Sequence, residues 1–180
     1  MALHTFVAGD VLEAQQLNDS FAAVGGLKLI STTTIGSAVS SVQVTNAFSA
    51  TFDAYKIIVT GGASSANDRL EMILGATTTG YSMQFIYGSY SNASAAAGST
   101  NQAKWLYAGG TSTTSISMDV DLLNPYLTEL TFISARNMES GLAGIAAGYL
   151  NNSTSYTDFT ISPKTGTITG GTIRVYGYQN

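Results

Sequence analysis

The side chains best placed to do chemistry in this chain are Asp119 and Asp121, in the run SISMDVDLL. Two positions apart on an alternating strand, both carboxylates lie on one face. Such a pair can contribute to a hard-cation site or act as acid and base in glycoside hydrolysis. A calcium loop brings more oxygen ligands, and a hydrolytic dyad is opposed across a cleft, so a polar strand face is the simpler reading. His4 is the only histidine and there is no cysteine. A thiolate or imidazole metal set and a Ser-His-Asp triad therefore have no residues to draw on. GLAGIAAG lacks the lysine and the strand–turn–helix context of a phosphate loop, so its glycines read as turns and tight strand packing. Asn92-Ala93-Ser94 and Asn151-Asn152-Ser153 match glycosylation sequons but read as polar turns. The expectation is a protein without catalytic residues, metal or cofactor.

Composition bounds the remaining classes. Of 180 residues, 44% are hydrophobic, enough for one well-buried domain with an appendage. Only 10% are charged, against roughly 25% in ordinary globular domains. The surface is therefore mostly hydroxyl, amide and glycine, with little charge repulsion to keep copies apart. A net charge of −4 and lysines and arginines scattered singly from Lys28 to Arg174 argue against nucleic acid as a partner. No apolar run approaches the length of a membrane span, and MALHTFVAG lacks the basic start and apolar run of a secretion signal. The ten tyrosines, among them Tyr81, Tyr87, Tyr90, Tyr107, Tyr149, Tyr156, Tyr176 and Tyr178, offer rigid faces with polar tips. These suit sheet faces and subunit seams first, and protein or glycan contact second.

Two kinds of local pattern run along the chain. In FVAGDVLEAQQLNDSFAAVGG, Asp10 and Glu13 have capping-box spacing. Val11, Ala14, Leu17, Phe21 and Val24 follow at intervals of three and four, and Gly25-Gly26 supplies a stop. This predicts one short amphipathic helix. From Leu27 onward the period shortens to two. LKLISTTTI, SSVQVTN, YKIIVTG, LEMILG, GYSMQFIYGSY, KWLYAGG, SISMDVDLL, LTELTFISA, LAGIAAGYL, YTDFTIS and GGTIRVYGY read as strands, punctuated by Gly61-Gly62, Gly109-Gly110 and Gly170-Gly171. In the clearest case Ile116, Met118, Val120 and Leu122 should be buried while Ser117, Asp119 and Asp121 face outward. Residues 89–103, small and without period, read as an exposed loop. The predicted fold is all-β, a β-sandwich or jelly-roll-like domain over residues 27–180, preceded by a helix-bearing docking segment over residues 1–26.

Phe6, Gly9, Leu12, Ala14, Leu17 and Asn18 fall on the pattern F-x-x-G-x-x-L-x-A-x-x-L/M-N. That segment is similar to the start of many tailed-bacteriophage virion proteins. LISTTTIGSAVSSVQVTNAFSATFDAYKIIV resembles the opening of a β-domain of phage fibres and head appendages, and YTDFTISPKTGTITGGTIRVYGYQN resembles their closing strands. Residues 62–140 match in style only. The resemblance implies a virion protein assembled in the host cytoplasm: a short tail fibre or tail-associated adhesin, or alternatively a capsid decoration, cement or head-fibre protein. It implies other phage structural proteins as partners, a homotrimer, and a host-surface glycan or protein as possible target. The docking and oligomer residues would be Phe6, Val11, Leu12, Ala14, Leu17, Phe21 and Val24, since a lone apolar stripe must be covered by something. A carbohydrate-binding β-sandwich, supported by the tyrosines, is the rival from another class.

Overall fold

The computed structural model describes residues 26–139 and 141–179. The expected N-terminal helix, with Phe6 through Val24 and His4, lies outside them. Fourteen strands follow: β1 (Leu27–Thr34), β2 (Val42–Val44), β3 (Ala54–Thr60), β4 (Ala63–Ser64), β5 (Asp68–Leu74), β6 (Tyr81–Ser89) and β7 (Ser94–Gln102). Then come β8 (Trp105–Thr111), β9 (Ile116–Leu123), β10 (Thr131–Glu139), β11 (Leu142–Leu150), β12 (Phe159–Pro163), β13 (Ile168–Thr169) and β14 (Thr172–Tyr178). The fold of the described residues is all-β, and every strand pairing is antiparallel.

Twelve strands form one branched sheet. A run in the order β1-β14-β3-β9-β10-β11-β6-β7 meets a shorter run β8-β5-β12-β2 where β8 pairs with the start of β9. At that branch Gly110 pairs with Ser117, and a Cβ on Gly109 would sit 2.5 Å from the Ser117 carbonyl oxygen. Gly109-Gly110 is thus not the turn expected from the sequence but a strand segment that needs close backbone approach. Asn137, fully buried on β10, closes the junction by donating its side-chain amide to the Gly109 carbonyl at 2.8 Å. Gly61-Gly62 and Gly170-Gly171 do behave as turns, all four with positive φ.

The core gathers alternate residues from both runs. β9 contributes Ile116, Met118, Val120 and Leu122, all buried as the alternation requires. β3 and β14 add Tyr55, Ile57, Val59, Ile173 and Val175, while the shorter run adds Leu70, Met72, Leu74, Trp105, Phe159 and Ile161. Contacts between strands that do not pair tie the runs together: Tyr81 of β6 meets Trp105 of β8 edge-to-face at 5.0 Å, and Phe85 stacks on Tyr107 at 4.6 Å. The buried tyrosines bring partners for their hydroxyls. That of Tyr55 donates to the Ser49 carbonyl at 2.7 Å, and that of Tyr81 accepts the Leu74 amide at 2.8 Å. Burial pushes the Tyr81 phenol well above its ordinary value.

Residues 89–103 correct the sequence reading. They form a hairpin turn, Asn92 with φ 70°, followed by the nine-residue strand β7 on the edge of the sheet. The segment is exposed as expected, but it is a strand. Both of its faces are wetted, so selection places no polarity contrast there, while pairing with β6 alone holds it extended.

Candidate functional site

The long run turns one broad face away from the core, and the registers fix its rows. One row reads Ile58, Asp119, Arg136, Ile145 and Ile86 across β3, β9, β10, β11 and β6. The next reads Tyr176, Lys56, Asp121, Ser134, Ala147 and Gln84. A third sets Leu123, Phe132 and Tyr149 side by side. Asp119 and Asp121 share a face, as their spacing predicts, but the face is not simply solvated there. Lys56, only 9% exposed, forms ion pairs with both, reaching Asp121 at 3.1 Å. Arg136 grips the other oxygen of Asp119 at 2.5 Å, and the Tyr178 hydroxyl donates to Asp121 at 2.5 Å.

These contacts explain the charges. Partial burial alone would lift the Asp119 carboxyl, but hydrogen bonds and charge from Lys56 and Arg136 outweigh it and hold the group below its ordinary value. Burial likewise works against the Lys56 ammonium, and the two aspartates overcome it and raise the group. The Tyr178 phenol is raised mainly because its proton is held on Asp121. Both carboxylates are thus engaged in cross-strand ion pairs, which makes them a clasp between β3, β9, β10 and β14. Lys56 was not legible from the sequence, since 65 residues separate it from Asp121 and only the β3–β9 pairing joins them.

On one flank of the clasp lies an apolar cleft of about 650 Å³ where β6 meets β11. Ile86 and Ile145 line it together with Ala143, Gly144 and Ala147. Two of the three glycines of GLAGIAAG pack strands tightly, since a Cβ on Gly144 or Gly148 would lie within 2.5 Å of a β6 backbone oxygen, while Gly141, at φ 106°, is a turn glycine. Beyond the third row, at the strand ends, a second cleft of about 580 Å³ is lined by Asn124, Glu129, Phe132, Asn151, Asn152 and Ser153. The sequon Asn151-Asn152-Ser153 is therefore loop, as read, and it shapes a cleft. Of the named tyrosines, Tyr81 and Tyr156 are buried, and Tyr90, Tyr149 and Tyr178 are exposed. Phe6, Val11, Leu12, Ala14, Leu17, Phe21 and Val24 lie outside the described residues, so the clefts are what the β-domain itself offers to a partner. Among the described residues no helix is long and apolar enough to cross a membrane. No protein-family model, curated protein or solved structure matches the chain.

Proposed function

We propose that this chain is a non-enzymatic structural protein of a tailed-bacteriophage virion, a short tail fibre or tail-associated adhesin. In this reading the long and short strand runs are the two layers of a β-sandwich, residues 1–26 dock it to the particle, and three copies assemble. The observation that carries the reading is the outward apolar cleft around Ile86 and Ile145, 66% and 63% exposed. Large apolar side chains grouped on an outward face, here with Arg136 as their neighbour on β10, mark a contact surface rather than a solvated one. With so few charges on the chain, little opposes close approach of copies. The Lys56–Asp119–Asp121 clasp supports a structural role for the residues that otherwise suggested catalysis. The resemblance of the first residues to phage virion proteins supplies the particle; a capsid-bound decoration or head-fibre role fits the same features.

The experiment compares the full chain with one lacking residues 1–25, which keeps the Gly26 carbonyl that accepts the Gln179 amide at 3.0 Å. Both should fold, only the full chain should bind virions, and the full chain should sediment as a trimer. Virion binding by the truncated chain at full occupancy contradicts the docking role.

A further inference from the structure

We infer that the outward row Phe132–Tyr149 and the cleft beside it form a binding site for a neutral glycan. Register places Leu123, Phe132 and Tyr149 directly abreast on β9, β10 and β11, and all three are at least 40% exposed. They make an apolar ridge with a hollow of mixed polar and apolar lining on either side. On the loop side is the cleft of Asn124, Glu129, Asn151 and Asn152. On the strand side Tyr149 borders a groove of about 320 Å³ with Ser82, Gln84 and Thr100.

The polar groups divide into those that build the site and those left for a ligand. Asn152 builds: its side-chain amide donates to the Tyr156 hydroxyl at 2.7 Å and its oxygen accepts the Thr154 amide at 3.1 Å, fixing the loop. Asn124 is fixed through its backbone, at φ 62°, with its N–H donated to the Asp53 carbonyl and its own carbonyl accepting the Leu127 amide. The side chains of Asn124, Asn151 and Glu129 form no hydrogen bond or ion pair with other described residues. Two amides on backbone held by hydrogen bonds, Asn124 to Asp53 and Asn151 to Gly80, are thus unspent beside an exposed aromatic ring.

That combination matches the chemistry of a sugar. A pyranose has a face of C–H groups that packs on an aromatic ring and a rim of hydroxyls that both donate and accept. A planar amide meets such a rim with a donor and an acceptor at once. A site held in place before binding also loses less ordering entropy. Neither hollow is lined by lysine or arginine among the described residues, and Glu129 is acidic, so the site disfavours sialylated or phosphorylated sugars. This deepens the adhesin reading and rests on it for the source of the glycan, the surface of a host cell.

The test is an array of uncharged bacterial O-polysaccharides and hexose or N-acetylhexosamine hexamers, probed with the full chain, with colominic acid as the anionic counterpart. Binding to one or more neutral glycans is expected. Phe132→Ala, Tyr149→Ala and Asn151→Ala should each weaken it by about tenfold or more. Tyr149→Phe, which keeps the stacking face, should retain it, and Ser91→Ala, in the exposed β6–β7 turn at the other end of the strands, should leave it unchanged. Melting curves confirm that these exposed-site variants fold. Binding to colominic acid alone, no binding to any neutral glycan, or binding indifferent to Phe132→Ala and Asn151→Ala overturns the assignment. The virion reading stands or falls separately: glycan binding by a chain that is absent from particles would refute that reading, and particle attachment without glycan binding would refute only the site.

Discussion

Ile86 on β6 and Ile145 on β11 stand directly opposite one another on the outward face, each more than 60% exposed. Neither contributes to the core of its own chain, so replacing both by serine should change the stability of a single copy by no more than about 0.5 kcal/mol. The same double variant should lose self-association, because burying two such side chains supplies about 1.5–3 kcal/mol each to an interface. Sedimentation across a concentration series reads the difference. A double variant that remains a trimer would remove this cleft from the interface.

The clasp makes a prediction about pH. The Asp119 carboxyl is held below its ordinary 3.8, so the folded chain binds fewer protons there than the unfolded chain. Its contribution is complete above the ordinary carboxylate range and is lost as pH falls through the lowered value. Lys56, raised above 10.5, contributes fully below that pH and loses its contribution as pH rises through the raised value. Urea midpoints should therefore hold through the neutral range and fall at both ends. Lys56→Met, which leaves Asp119 only Arg136 and Asp121 only the Tyr178 hydroxyl, should cost about 1–3 kcal/mol at neutral pH and flatten the alkaline decline.

Two glycines on the same pair of strands should differ in their tolerance of alanine. A Cβ on Gly148 would lie 2.1 Å from the Ser82 carbonyl oxygen, so β11 and β6 must part, at about 1–3 kcal/mol. Gly88 faces outward with nothing nearer than 3.8 Å, so Gly88→Ala should fall within about 0.5 kcal/mol of the parent. Chemical denaturation of the two variants checks the β6–β11 register directly.

Val120, fully buried between Ile57 on β3 and Ala135 on β10, should cost about 1–3 kcal/mol as alanine. Its placement was readable because Met118, Val120 and Leu122 alternate with polar residues, and one buried face makes that pattern strict. The same logic failed at β7. Ser94 to Gln102 is wet on both faces, so no alternation marks it, and its extended form comes from pairing with β6. Gly109-Gly110 misled for a related reason: two glycines signal a turn locally, yet here they admit the Ser117 backbone where β8 meets β9. The clasp depends on Lys56 and Asp121, 65 residues apart, and the Phe132–Tyr149 row on the β10–β11 pairing, so composition pointed to tyrosines as contact residues while only the register assembled the site.

If the chain is a virion component, electron microscopy of particles labelled with gold-conjugated antibody against residues 27–180 should show gold on virions, clustered at the tail. The clusters should be lost from particles grown with a chain lacking residues 1–25. Purified virions that carry no label, while the chain is found only in the soluble fraction, would rule out the virion role.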